Sequence, residues 1–108
     1  MQRQFRQGHI LLHPVRSIPK KNTIQVKPAK ENHVVLATGE TGREHVFKSE
    51  RVSMWQQDGN LFIEVTGDEP VWLEHPEHGD IEVPPGEYRL IHQREAEIGF
   101  GPPRASFD

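Results

Sequence analysis

The stretch Val52-Ser53-Met54-Trp55-Gln56-Gln57-Asp58-Gly59-Asn60-Leu61-Phe62-Ile63-Glu64-Val65-Thr66 decides the fold class. Two short runs, each alternating with period two, flank an Asp-Gly pair that readily takes the positive φ values of a tight hairpin turn. Val52–Gln56 and Leu61–Thr66 therefore form an antiparallel hairpin. The same period recurs along the chain, and no window of a dozen residues carries apolar side chains at i, i+3, i+4 and i+7. Further strands are expected at 9–15, 23–27, 33–38, 44–48, 71–75, 80–83 and 87–94, most of them bounded by Gly, Pro, Asn or Asp. Turns are expected at His75-Pro76-Glu77-His78-Gly79, where Pro76 presets φ and Gly79 can close in the left-handed region, and at Pro84-Pro85-Gly86. Such short connections predict antiparallel neighbours. The reading is all-β: a small antiparallel barrel or two-sheet roll of about seven to nine short strands.

The chain has 108 residues, of which Val, Ile, Leu and Phe make up 27. That quarter exceeds the roughly 20% below which highly charged chains stay disordered, so one thin core is expected and a second is excluded. Residues 1–98 read as a single β domain and 99–108, with Gly101-Pro102-Pro103, as an extended tail. A mean hydropathy of −0.73 and the lack of a long apolar run exclude a membrane-spanning helix. The N-terminus also lacks the apolar centre of a secretory signal, which makes the cytoplasm the expected compartment. There is no cysteine, which removes disulfides, thiolate metal sites and cysteine nucleophiles together.

The net charge of −3 conceals a split. Residues 1–54 hold ten Lys/Arg and four Asp/Glu, whereas residues 55–108 hold three and twelve. Arg3, Arg6, Arg16, Lys20, Lys21, Lys27 and Lys30 precede the first acid. Three readings follow: basic and acidic strands neighbour one another within the fold, opposite halves of different copies meet in a homo-oligomer, or the basic segment contacts nucleic acid. Apart from Phe5, the basic segment lacks the aromatics on which single-stranded bases stack.

Seven histidines carry whatever chemistry the chain has. His75-x-x-His78 sits on a turn, and a β-turn brings its first and fourth Cα atoms within about 7 Å, so two imidazoles can converge on one ion. Val71, Leu73 and His75 share a strand face, which puts His75 at the rim of the core. The competing reading is that His75 caps an apolar edge while His78 is solvated. His45 follows the glycine-flanked segment 38–42 and would be a third ligand, with His92 as a fourth. For His92 and His33 the more frequent outcome is a buried histidine bonded to a carbonyl, and His9 and His13 read as surface or edge positions. Without thiolates, such a site would favour Zn, Ni, Mn or Fe. Glu44, Glu74 and Glu77 lie close enough in sequence to serve as ligands, supporting partners or a base. No G-x-S-x-G, Walker, G-x-G-x-x-G or H-E-x-x-H signature occurs, so the sequence names no reaction and no organic cofactor.

Arg6-Gln7-Gly8, the run Val34–Glu40 with Thr41-Gly42 and His45, His75-Pro76-Glu77-His78, and Pro84-Pro85-Gly86-Glu87-Tyr88-Arg89 with Gln93-Arg94-Glu95 together resemble a family of short, largely uncharacterised bacterial and phage proteins. The resemblance spans residues 6–95 and implies a small β fold without an assigned activity. Arg43 stands where that pattern has a histidine, and Ala96 where it has an aromatic. Pro84-Pro85-Gly86 also resembles the P-x-G turn of cupins, but the His-x-His of their first motif is missing. The function expected from sequence is binding of one divalent metal by His45, His75 and His78. The alternatives are a self-assembly or docking module and, third, a nucleic-acid binder.

Overall fold

The computed structural model describes residues 3–28, 30–38 and 44–92. These form ten strands and no helix: β1 (Phe5–Gln7), β2 (Ile10–Pro14), β3 (Ile24–Val26), β4 (Val34–Thr38), β5 (Glu44–Phe47), β6 (Val52–Gln57), β7 (Asn60–Val65), β8 (Val71–Glu74), β9 (Ile81–Val83) and β10 (Gly86–His92). They assemble into a six-stranded sheet, ordered β1-β2-β10-β7-β6-β3, and a four-stranded sheet, ordered β4-β5-β8-β9. Every pairing is antiparallel. Of the two architectures the sequence allows, the two-sheet form is therefore the one adopted, and neither sheet closes into a barrel. No described helix is long and apolar enough to cross a membrane.

Alternation explains which side chains form the core. Ile10, Leu12, Val52, Met54, Ile63, Val65, Tyr88 and Leu90 point inward from the larger sheet and meet Val34, Leu36, Phe47, Val71, Leu73 and Val83 from the smaller one. The β6–β7 hairpin closes at Gln57↔Asn60 through Asp58 and Gly59, both at positive φ (50° and 83°), the combination that a two-residue type I′ turn requires. A second tight hairpin joins β1 to β2. Its last pair is Gln7↔Ile10, and Gly8 takes φ +60° at the first loop position, where a type II′ turn favours glycine.

Two expectations need correction. The strand Phe5–Gln7 raises the count to ten. Sequence reading misses it because its inward positions are Phe5 and the polar Gln7, so no apolar alternation marks it. Pro84-Pro85-Gly86 does not close an antiparallel pair: β9 lies in the four-stranded sheet, while β10 pairs with β2 and β7 in the other. Two adjacent prolines lack the N–H groups a ladder needs, so the chain changes sheets there, and the Tyr88 hydroxyl donates back to the Pro84 carbonyl at 2.7 Å. The 99–108 tail, the 39–43 segment with Arg43, and Ala96 lie outside the described residues.

Basic side chains of the first half reach the second half at two places, one through an ion pair and one through backbone carbonyls. Lys48 pairs with Glu74 at 3.2 Å across β5 and β8. Arg51 donates to the carbonyls of Thr66, Glu69 and Pro70 at 2.9, 2.7 and 3.1 Å, clamping the loop between β7 and β8. At the centre of the core Phe47 is fully buried. Phe47→Ala is expected to cost about 3–5 kcal/mol, the usual range for an aromatic truncated in a core, seen as a lower urea midpoint at unchanged slope.

Candidate functional site: a histidine cluster at the sheet junction

The same alternation that buries Phe47 carries His45 inward two residues earlier on β5. On β8 it carries His75 inward two residues beyond Leu73. The β5–β8 ladder pairs Phe47 with Leu73 and Val46 with Glu74, and one further step along this register sets His45 opposite His75. Both are buried, at 1% and 7% exposure, and their ring centroids lie 4.2 Å apart. The turn after His75 returns His78 to the same place, 4.5 Å from His75 and stacked 6.0 Å from His45. The six-stranded sheet adds two more rings. His9, in the β1–β2 turn, lies edge-on to His45 at 5.3 Å, and His92, at the end of β10, is 6.3 Å from His9.

The structure thus brings His45, His75, His78 and His92 together and adds His9, which sequence reading places at the surface. His9 is indeed exposed, as are His78 and His92. The β2–β10 register, which pairs Ile10 with His92, is what carries it alongside, and no local pattern reveals that pairing. His13 and His33 stand outside the cluster. His33 bonds through Nδ1 to the Glu31 carbonyl at 3.0 Å and lines an open groove of about 500 Å³ over the outer face of the four-stranded sheet, which reaches His75. Of the three glutamates, Glu74 is paired with Lys48 and Glu44 points to the face opposite His45.

Gln7 organises the cluster from beneath. It is 2% exposed, and its amide nitrogen donates to Leu73 O at 2.8 Å and to Gly79 O at 2.6 Å. Both amide hydrogens are thereby used, so the side-chain oxygen must accept from His45 Nδ1, 2.8 Å away. Neutral His45 therefore carries its proton on Nδ1 and a lone pair on Nε2. His75 has the opposite tautomer. Its Nδ1 accepts the backbone N–H groups of Glu77 and His78 at 3.0 and 3.1 Å, so the neutral ring is protonated at Nε2, while its carbonyl accepts from Gly79 N at 3.2 Å. The turn is wound around this ring. His92 Nε2 donates to the Leu36 carbonyl at 3.3 Å, which the bulge between Val35 and Ala37 leaves out of the ladder.

Gly8 is the floor of the site. A Cβ there would lie 2.7 Å from His78 Nε2 and 3.2 Å from His45 Cε1, so a side chain is disfavoured by φ and would displace the exposed His78 ring. Burial, followed by the charges His75, His9, His78 and His92 can carry, lowers the His45 pKa from 6.5 to about 4. Among the described residues no three His, Asp or Glu side chains surround a common point as metal ligands do. His45 and His78 lie stacked, and the other ring pairs are tilted or edge-on.

A family model described as a domain of unknown function (DUF8820) matches residues 6–93. The chain belongs to this family. Gln7, Gly8 and all five clustered histidines fall inside the matched range. No curated protein and no solved structure matches the chain.

The depressed His45 pKa has a signed consequence. Between pH 6.5 and about 4 the unfolded chain protonates this ring while the folded protein does not, so stability falls as pH drops through that window. In metal-free protein, His45→Gln is expected to flatten that part of the slope. Urea midpoints of both proteins at about pH 7 and about pH 4.5 check it.

Proposed function

We propose that the protein binds one divalent transition metal at the histidine cluster. The observation that carries this reading is the tautomer of His45, which leaves an Nε2 lone pair on a buried ring beside the exposed imidazoles of His9 and His78. Metal-ligating histidines usually donate their other ring nitrogen to a fixed acceptor, which orients the ring and raises its basicity. Gln7 supplies that acceptor at 2.8 Å. Depression of the His45 pKa keeps the ring neutral, as ligation requires.

His45 is then the fixed ligand, and His78, His9 and His92 are the adjustable ones. All three are exposed, so their rings turn toward His45 Nε2 at the cost of side-chain rotation, about 0.5–1.5 kcal/mol for an off-rotamer angle. His75 supports rather than ligates in this arrangement, because its Nδ1 already accepts two backbone hydrogens and its Nε2 is protonated. The set thus retains His45, His78 and His92 from the sequence expectation, adds His9 and moves His75 behind them. Imidazole donors without thiolate suit Zn, Ni or Fe more than Mn. Such an ion would supply Lewis acidity and hold an anion or water.

The charge split has less need of an external partner, since the Lys48–Glu74 ion pair already joins the basic and acidic halves within the fold. Self-assembly or nucleic-acid binding therefore ranks below metal binding.

Untagged protein purified without chelators is expected to hold, or take up in calorimetric titration, about one equivalent of Zn, Ni or Fe. The double variant His45→Ala/His78→Ala should lose it. Gln7→Leu should weaken binding by about 10–100-fold, as loss of a ligand-orienting partner does. Unchanged stoichiometry and affinity in the double variant, confirmed as folded by circular dichroism, would refute the reading.

A further inference from the structure

On the far side of the six-stranded sheet, away from the histidines, the 17–23 loop arches over the outer faces of β6, β7 and β10. It encloses a cleft of about 380 Å³ lined by Ile18, Pro19, Lys20, Trp55, Glu64 and Glu87 among others. The loop is held at several points. Ile18 N donates to Glu87 Oε1 at 2.6 Å, the Thr23 hydroxyl to Pro19 O at 2.5 Å, and Gln57 Nε2 to Lys21 O at 2.6 Å. The volume falls in the range of small-ligand sites.

Its chemistry is lopsided. Glu64 and Glu87 are direct cross-strand partners on β7 and β10, and their neighbours Ile63 and Tyr88 are in the core, so both carboxylates face the cleft. Like charges directly opposite on a sheet destabilise it. Among the described residues no cation pairs with either. Lys20 lines the same cleft without pairing to them, and Glu64 makes no hydrogen bond there. Beside them stands Trp55, whose indole N–H is shielded from solvent and lacks an acceptor among the described residues. Its cross-strand neighbour Phe62 is buried although it points away from the core. An apolar wall and an aromatic ring beside two unneutralised carboxylates fit a cation on a hydrocarbon stem. The ammonium would meet the two acids, and the stem would lie against Trp55, Ile18 and Pro19.

We propose that this cleft binds an alkylammonium ion, either a free primary amine or the side chain of a lysine in a polypeptide. The site is independent of the metal reading, and neither outcome there bears on it.

Trp55 reports on its own occupancy. The chain has two tryptophans, so Trp72→Phe on the exposed face of β8 leaves Trp55 as the sole indole. Pentylammonium chloride and N-acetyl-lysine amide are titrated separately against Trp55 emission, with equal concentrations of NaCl and of 1-pentanol as controls. A saturable change with at least one amine, weakened tenfold or more in Glu64→Gln/Glu87→Gln, is the expected result. Glutamine at 87 still accepts from Ile18 N, so the loop stays in place while the charge is lost. Tighter binding of the lysine amide identifies a polypeptide side chain as the source, and tighter binding of pentylammonium identifies a free amine. A response no different from the salt and alcohol controls, or equal affinity in the double glutamine variant, overturns the proposal.

Discussion

A single buried amide ties the two sheets together. Gln7 sits beneath the histidines with almost no access to water, and a polar group in that position must find partners or cost about 1–3 kcal/mol for each that fails. Its nitrogen takes carbonyls from β8 and from the turn that follows, and its oxygen takes the His45 proton from β5. One side chain on a three-residue edge strand of the larger sheet thus holds the smaller sheet's middle and the His75–Gly79 turn in register. Everything distinctive about the site follows from it: where β1 lies, which tautomer His45 adopts, and how closely His78 can approach.

The cluster extends the core by other means. On β5 and β8 the positions that carry Phe47 and Leu73 inward carry His45 and His75 inward at the next repeat. Packing therefore demands that rings fill the end of the sandwich, and hydrogen bonding demands that each buried nitrogen be satisfied. The two histidines meet this demand in opposite ways. His45 donates its Nδ1–H to a side-chain amide oxygen, while His75 accepts two backbone hydrogens. Their nitrogens are consequently unlike: one ring keeps an Nε2 lone pair, and the other commits its Nδ1 lone pair to shaping the turn. This asymmetry distinguishes two rings that sequence spacing alone treats as equivalent.

The two faces of the larger sheet show how the same strands serve different chemistry. Inward positions of β7 and β10 are apolar and bury against the smaller sheet. Their outward positions set two glutamates side by side under a loop anchored to one of them. Lys20 lines the same cleft, but among the described residues no cation lies within ion-pair distance of these acids.

Much of the architecture was legible in the residues themselves. Period-two alternation, Asp58-Gly59 and the Pro- and Gly-bounded runs determined an all-β antiparallel chain, because strand formation and tight turns depend on residues within a few positions of each other. His75-x-x-His78 was readable as a convergent pair for the same reason. The third histidine of the set, His45 on β5, could be nominated but not placed. Three things only tertiary structure decided. Phe5–Gln7 is a strand because Gln7 finds acceptors more than sixty residues away, a source of stability that local hydrophobicity cannot record. Pro84–Gly86 changes sheets rather than turning back, since prolines forbid a ladder without specifying where the chain goes next. His9 joins the cluster because β2 and β10 pair in one particular register, and the energy that selects this register comes from burying whole inner faces rather than from any residue near His9.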